Sequence, residues 1–253
     1  AADVLYKKHI LALRGSFRPV TKVNIDMITK GLKMFESDIK VEEDKVQVLF
    51  EITLNNLRSE GEIDEQDFLD RAELLCSLGQ TVLVSNYSKY YALADYFSKY
   101  TSERMGIIMG TNMLVELFDE KYYRNLNGGI LAAFGILFSR DIKIYLYPWF
   151  DQENEILYTT ENCPVHPRLK PLFDYLVDNK RIVDIKDFNP EILSVYSKDV
   201  IDMIQHGHTG WEGMVPTYVD SIIKDNKLFG FDANKPADAD FVPPTRTKWS
   251  ESL

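Results

Sequence analysis

The chain has 253 residues, of which 45% are hydrophobic, and it carries a formal net charge of −10 at pH 7. This length and apolar content predict one domain with a full core, and its longest apolar runs are too short to span a membrane. The acidic balance excludes a general nucleic-acid binder, which needs a basic face, whereas a small anion can still bind at a helix N-terminus.

The two cysteines, Cys76 and Cys163, lie far apart in the sequence. Cys76 falls within a helical apolar pattern, which predicts a buried free thiol and favours a reducing intracellular compartment. The chain has no signal peptide and begins at Ala1, which fits a removed targeting sequence, a proteolytic fragment or an artificial boundary. The expected location is the cytoplasm, or an organelle matrix after removal of a targeting sequence.

Strand and helix patterns alternate over residues 1–150, which we predict to form a Rossmann-like core. The predicted strands cover residues 10–13, 46–54, 81–85, 105–109 and 142–147. The predicted helices begin after Thr21 and continue over residues 64–78, 89–100, 113–123 and 130–139. Short apolar strands without alternation are typical of a sheet covered on both faces. The fold class is therefore α/β, with a doubly wound, mostly parallel, five-stranded sheet and right-handed crossovers.

Residues 151–230 are predicted to form a helical C-terminal part of the same domain. Helical patterns cover residues 168–178, 190–205 and 216–226. The tail over residues 231–253 contains prolines and lacks a periodic apolar face. We expect it to be an extended arm that is disordered or packs on a partner.

The main functional signal lies in residues 9–32, where an apolar strand ends in a glycine-containing turn and a helix follows. A phosphate-binding site begins in this way in a parallel α/β sheet. The stretch resembles the first motif of nucleotidyltransferases that adenylylate nicotinate or nicotinamide mononucleotide, or phosphopantetheine. That motif reads G-S/T-F-x-P-(H/T)-x-x-H, and the matching residues are Gly15, Ser16, Phe17, Pro19 and Thr21.

Asn24 stands where this motif closes on histidine. In the family the histidine contacts the nucleotide phosphates, whereas an asparagine donates a hydrogen bond but carries no positive charge. Arg18 and Lys22 are nearby cations that can supply charge instead. The resemblance implies a catalytic position at Asn24 and a phosphate-binding turn made of Gly15, Ser16, Phe17, Arg18, Thr21 and Lys22.

Two later segments resemble the same family in the same order. Residues 106–118 resemble a strand that ends in G-x-D before an apolar helix, and here Gly110 fits while Asn112 replaces the aspartate. The resemblance implies that Gly110 and Asn112 bind the acceptor. A glycine and a polar residue at a strand end are common in α/β domains. This second match is therefore informative mainly because it follows the first motif in the same order as in the family.

Residues 193–229 resemble the C-terminal I-S-S-T-x-x-R motif, its glycine turn and the L-V-P step. Gly207 and Val215-Pro216 fit this layout, and Ile201 stands in place of the arginine. The resemblance implies that Ser197 and Lys198 contact ATP phosphates, with Lys198 in a catalytic role. An ordinary serine-capped helix explains this segment equally well.

Three charged positions of the family are thus replaced, by Asn24, Asn112 and Ile201. We predict an adenylyltransferase-like domain with degenerate catalytic motifs, retained as a nucleotide-binding or structural subunit of a larger assembly. The alternative is an active ATP-dependent mononucleotide adenylyltransferase, which uses ATP and Mg²⁺ and in which Arg18, Lys22 or Lys198 replaces the lost groups. Without activity, no cofactor is expected.

The remaining predictions concern partners. A tyrosine-rich helix near residues 89–100 and the C-terminal tail are expected to contact a protein partner, and a nucleotide is the expected small ligand. No nucleic acid and no membrane span are expected. His206 and His208 flank a glycine without cysteine or glutamate at ligand spacing, so no metal bound by side chains is predicted.

Overall fold

The computed structural model describes residues 2–54 and 64–241. Its strands are β1 (His9–Arg14), β2 (Val46–Thr53), β3 (Val82–Ser85), β4 (Met105–Gly110), β5 (Ile142–Tyr147), β6 (Trp149–Asp151), β7 (Ile156–Tyr158) and β8 (Ile182–Asp184). Its α-helices are α1 (Ala2–Leu5), α2 (Lys22–Glu36), α3 (Glu65–Ser77), α4 (Tyr90–Ser98), α5 (Thr111–Leu117), α6 (Gly129–Leu137), α7 (Lys170–Asp178), α8 (Ser197–Gln205) and α9 (Val219–Asn226).

Six strands form one parallel sheet in the order β3-β2-β1-β4-β5-β8, which confirms the doubly wound α/β fold. The predicted number of five strands is wrong, because β8 joins the edge of the sheet beside β5. At three residues, β8 is too short to give a periodic signal. The segment predicted to be helical therefore contributes a sheet strand, and it also contributes most of the separate β6–β7 hairpin.

The two faces of the sheet bury different side chains of the same strand. In β1, Ile10 and Ala12 belong to the core on one face, whereas Leu11 and Leu13 belong to the core on the other. Gly106 in β4 allows the Leu11 and Tyr145 side chains to approach the backbone closely, since an added Cβ would lie 2.8 Å from Leu11 and 2.9 Å from Tyr145. Both faces are thus tightly packed, which explains why the strands are apolar without alternation.

Two predicted helices are interrupted by changes of local geometry. The pattern over residues 113–123 divides into α5 and a short 3₁₀ turn, Glu120–Tyr123, because Asp119 accepts a hydrogen bond from the Lys121 N–H at 2.9 Å and starts the new turn. The pattern over residues 190–205 likewise gives a 3₁₀ turn before α8 begins at Ser197. In residues 2–54 and 64–241, no helix has the length and apolarity needed to cross a membrane.

The described part of the C-terminal tail packs on its own chain. The Phe241 ring stacks on His206 with ring centroids 4.5 Å apart, and the Asp238 N–H donates to the His206 carbonyl at 3.0 Å. Gly207, at φ +70°, permits this contact, because an added Cβ would lie 2.8 Å from the Pro236 carbonyl oxygen. The sequence predicts that this arm is disordered or packs on a partner, whereas residues 236–241 contact α8 and the turn that follows it. Residues 242–253 lie outside the described residues.

The two cysteines lie in different environments, and that of Cys76 differs from the predicted one. Cys76 is exposed on the outer side of α3, whereas Cys163 is buried, and both thiols are free. The prediction that Cys76 is buried is wrong, because the apolar face of α3 is carried by Leu74 and Leu75. Burial, followed by the nearby Asp184 carboxylate, raises the pKa of the Cys163 thiol to about 12.

This difference predicts selective thiol labelling. In native protein at pH 8, an aromatic disulfide reagent is expected to modify Cys76 and to leave Cys163 unmodified, because the reactive thiolate is the minor form of a thiol with a pKa near 12. Mass spectrometry of the labelled peptides measures both sites. In denaturant both should react, and equal rates in the native protein would contradict the assigned burial.

Candidate functional site

A cavity of about 1030 Å³ opens at the carboxyl edge of the sheet. Leu13 and Arg14 at the end of β1, Gly110 at the end of β4 and Tyr147 at the end of β5 contribute to its walls. The strand order reverses between β1 and β4, and in doubly wound sheets ligands bind at this switch point. The volume lies at the upper end of the range of roughly 300–1,000 Å³ for small-molecule sites.

Arg14 lies in the wall of the cavity, but most of its guanidinium N–H groups already donate hydrogen bonds within the protein. It forms a two-point ion pair with Glu51, whose side chain is fully buried, and it donates to the carbonyls of Tyr87 at 2.7 Å and Ser88 at 3.0 Å. It also lies over the Tyr90 ring, 4.3 Å from the centroid. Arg14 therefore fixes the ends of β1, β2 and β3 relative to one another and has few donors left for a ligand.

The Gly15 turn, residues 15–21, is fastened to α3. Arg18 forms an ion pair with Asp67, and Arg71 pairs with the same carboxylate while donating to the Ser16 carbonyl at 3.3 Å. Burial lowers the pKa of Arg71, and the Asp67 charge opposes that shift. Phe17 is buried against Phe50, with ring centroids 5.0 Å apart. The Arg18 guanidinium is thus held by a carboxylate that it shares with Arg71, and Ser16 is exposed.

Asn24 has a structural contact and also reaches the cavity. Its Oδ1 atom accepts hydrogen bonds from the Thr21 N–H at 2.9 Å and from the Thr21 hydroxyl at 3.1 Å, which closes the first turn of α2. The Asn24 side-chain NH₂ makes no hydrogen bond to any residue in the described part of the chain. Because Asn24 lines the cavity, this NH₂ is available to a ligand.

Gly110 and Asn112 lie together on the wall formed by the start of α5. An added Cβ on Gly110 would meet no atom within 4 Å, so open space adjoins this residue. Asn112 is exposed in the first turn of α5. The intervening Thr111 is buried, and its hydroxyl donates to the Tyr147 carbonyl at 3.3 Å, which holds α5 against β5.

Aromatic residues form a further part of the lining, and these are Tyr147, Trp149 and Tyr196. The Trp149 indole N–H donates to the Tyr196 hydroxyl at 2.8 Å, and the Trp149 ring stacks on Tyr158 with centroids 5.3 Å apart. The Tyr147 hydroxyl donates to Asp26 at 2.7 Å, and burial together with this carboxylate raises the pKa of Tyr147. Trp149 and Tyr196 are not among the site residues predicted from the sequence. Trp149 directly follows Tyr147-Pro148 at the end of β5, which was an available signal.

Two arginines at the edge of the cavity have free guanidinium groups. Arg124 and Arg168 are exposed, and neither forms an ion pair with a residue within the ranges that the structure describes. Lys121, also in the lining, is instead paired with Asp119 at 3.1 Å. Arginine suits phosphate recognition because its planar N–H groups bind two oxygens at once.

The third motif contacts the first motif away from the large cavity. The Ser197 hydroxyl donates to the Pro19 carbonyl at 3.0 Å, so the N-terminus of α8 lies beside the Gly15 turn. Lys198 is exposed, and Ile201 is buried in the core. The structure therefore forms two groups of candidate residues. Asn24, Gly110 and Asn112 line the cavity, whereas the Gly15 turn, Lys22, Ser197 and Lys198 do not.

The tyrosines near α4 mostly contact one another and the core. Tyr96 lies 5.0 Å from Tyr87 and 5.1 Å from Tyr100 between ring centroids, and Tyr90 is buried under Arg14. Within residues 2–54 and 64–241, no three His, Cys, Asp or Glu side chains are grouped so that they could hold a metal ion.

The architecture is similar to that of a known enzyme. One of 57 matching structure chains is a Plasmodium falciparum nicotinic acid mononucleotide adenylyltransferase in complex with APC, at a TM-score of 0.51 and 10% sequence identity. The match covers 89% of this chain and 98% of that chain. No protein-family model and no curated protein sequence matches the chain. At this identity the likeness shows a shared fold and nothing more.

Proposed function

We propose that this chain binds a mononucleotide in the large cavity and has lost most of the charged groups that adenylyl transfer requires. The observation that carries the proposal is the cavity of about 1030 Å³ at the switch point of the sheet, where aromatic, amide and unpaired cationic side chains meet. These three kinds of side chain match the base, the sugar hydroxyls and the phosphate of a nucleotide.

Each part of the lining supports one part of this ligand. Trp149 and Tyr196 offer flat apolar surface with the indole N–H already engaged, which suits a heteroaromatic ring. The Asn112 side chain and the NH₂ of Asn24 offer hydrogen bonds. Arg124 and Arg168 have free guanidinium groups for the phosphate.

The loss of activity is proposed from the charges that are missing or neutralised. Asn24 and Asn112 are uncharged, and Ile201 lies in the apolar core. Removing one preorganised charge contact costs ~10²–10³ in rate, although losses within one site need not add. Arg18 is held by Asp67 and does not line the cavity, so it does not replace them.

The Gly15 turn does not offer the groups that bind ATP with Mg²⁺. A magnesium–triphosphate site needs one or two carboxylates beside several cations or backbone donors. Near the Gly15 turn, two arginines share the Asp67 carboxylate, and the Ser197 hydroxyl donates a hydrogen bond to the Pro19 carbonyl. No reaction step is therefore assigned to ATP at this turn.

The alternative is an active adenylyltransferase. Lys22, at the first position of α2, and Lys198, at the second position of α8, form no ion pair with any residue that the structure describes, and the two helix N-termini lie close together. In this alternative, these two lysines hold the nucleotide phosphates. A role as a subunit that meets a protein partner through α4 and the tail also stays a proposal.

Calorimetric titration with nicotinate mononucleotide and nicotinamide mononucleotide tests the proposal. We expect one of them to bind with 1:1 stoichiometry, and the double variant Arg124→Gln/Arg168→Gln to bind about 10-fold more weakly because the phosphate loses charged partners. Incubation with ATP and Mg²⁺ should release no pyrophosphate above the blank.

The matched control replaces two exposed lysines away from the cavity, Lys186→Gln/Lys227→Gln, and produces the same change in net charge. Mononucleotide binding should be unchanged in this control. Absence of binding to either mononucleotide would contradict the proposed ligand. Pyrophosphate release that disappears in Lys198→Ala would favour the active alternative.

A further inference from the structure

A second cavity, of about 480 Å³, opens at the amino edge of the sheet, opposite the candidate site. Arg104, Asp141 and Arg181 each directly precede a strand, and these strands are β4, β5 and β8. The three strands are neighbours and run parallel, so the three residues lie side by side along one edge. We call this space the amino-edge cavity.

The amino-edge cavity is locally positive in an acidic protein. Four cations line it, Lys40, Arg104, Arg140 and Arg181, against two carboxylates, Glu103 and Asp141. The whole chain carries a formal net charge of −10. A concave surface with an excess of two cations attracts anions in spite of the overall charge, because charges within a few ångströms dominate the local potential.

Two of the guanidinium groups are already held in place. Asp141 lies 2.8 Å from Nη1 of Arg104 and 3.7 Å from Nη1 of Arg181. Nη2 of Arg181 also donates to the carbonyls of Phe138 at 2.7 Å and Arg140 at 2.6 Å. Side chains fixed in this way lose little conformational entropy when a ligand binds.

Two arginine N–H groups beside the amino-edge cavity have no hydrogen-bond acceptor in the described part of the chain. The Nε atoms of Arg104 and Arg181 are buried and make no hydrogen bond, and the nearest carboxylate to Arg104 Nε, that of Asp38, is 3.9 Å away. Exposed Lys40 and Arg140 form no ion pair among the residues described in the structure. A buried charged donor without an acceptor is costly, so a negative charge placed beside these guanidinium groups is favoured.

We propose that the amino-edge cavity is a binding site for a phosphate dianion, either free or esterified to a small sugar. The excess of two cations matches the charge of a phosphate dianion, and guanidinium groups bind phosphate oxygens in pairs. The volume exceeds that of a phosphate ion and leaves space for a small ester beside the Ser102 hydroxyl. This site is separate from the proposed mononucleotide site, since the two cavities share no lining residue.

Thermal unfolding at increasing inorganic phosphate, against sodium chloride at equal ionic strength, tests the site. Phosphate should raise the melting temperature of the wild-type protein beyond the chloride effect, because a ligand that binds only the folded state stabilises it. In Lys40→Gln/Arg140→Gln, the phosphate concentration needed for the same rise should increase about 10-fold. Both replaced side chains are exposed, so folding should be preserved.

A single variant, Ser102→Asp, gives an independent test by adding a negative charge at an exposed position of the cavity, and it should weaken phosphate binding to a similar extent. The control Lys186→Gln/Lys227→Gln should retain the wild-type response. The proposal is overturned if wild-type protein shows no phosphate-specific rise, if the rise survives both cavity variants, or if the control loses it equally.

Comparison of two ligands identifies the source of the phosphate. Tighter binding of ribose 5-phosphate than of inorganic phosphate, lost in the same variants, supports an ester. Equal or weaker binding of ribose 5-phosphate supports the free ion. An effect of ribose 5-phosphate that persists in Lys40→Gln/Arg140→Gln but disappears in Arg124→Gln/Arg168→Gln would place the phosphate in the large cavity and overturn the proposal.

Discussion

Replacing Gly110 with phenylalanine is expected to weaken mononucleotide binding about 100-fold and to leave the fold intact. Gly110 lines the large cavity, its φ of −78° is accessible to any residue, and an added Cβ meets no atom within 4 Å. The new ring can therefore enter the space next to Asn112 without moving the backbone. Calorimetric titration with the bound mononucleotide measures the loss, and circular dichroism checks the fold.

Two variants control for this substitution. Gly110→Ala should bind nearly as well as the wild type, because a methyl group occupies little of a cavity of about 1030 Å³. Gly135→Phe places the same ring on the exposed side of α6, where an added Cβ also meets nothing within 4 Å, and binding should be retained. If Gly110→Phe binds the mononucleotide like the wild type, the ligand does not occupy this part of the cavity.

Replacing Glu51 with alanine is expected to lower the free energy of unfolding by ~3–5 kcal/mol, because it leaves a buried positive charge without its partner. Glu51 is fully buried and binds Arg14 at two points, while the Ser85 hydroxyl donates to the same carboxylate. Arg14 then keeps the carbonyls of Tyr87 and Ser88 and its position over the Tyr90 ring, none of which carries a negative charge. Urea unfolding, followed by fluorescence and circular dichroism, measures the change.

The matched control is Glu73→Ala, which removes an exposed glutamate of α3 and should change stability by no more than ~0.5 kcal/mol. The double variant Arg14→Ala/Glu51→Ala should be less destabilised than the sum of the two single variants, since it removes both charges together. A Glu51→Ala effect as small as that of Glu73→Ala would show that the pair contributes little to the fold.

The charges of the chain are divided between the two ends of the sheet. At the carboxyl edge, Arg14 pairs with buried Glu51, while Arg18 and Arg71 share Asp67 and do not line the large cavity. At the amino edge, the Asp141 carboxylate is shared by two arginines. Anion binding is therefore expected where the cations that line a cavity outnumber the carboxylates there. The position of an arginine in a sequence motif does not by itself predict anion binding.

Much of the fold could be read from local sequence patterns. The apolar runs of β1, β2, β4 and β5 and the helical spacing of α3 are properties of neighbouring residues, and the periods of strands and helices appear directly in the sequence. The short strand β8 gave no such signal, because three residues at a sheet edge are defined by their partner strand.

The sequence by itself determined the α/β class, the order of the main elements and the glycine turn between β1 and α2. Only the tertiary structure decided which side chains share a site. Trp149 and Tyr196, separated by 47 positions, meet in one wall, and Arg18 forms an ion pair with Asp67, 49 positions away. Secondary structure follows from contacts between near neighbours, whereas the availability of a charge or a ring depends on partners that only folding brings into contact.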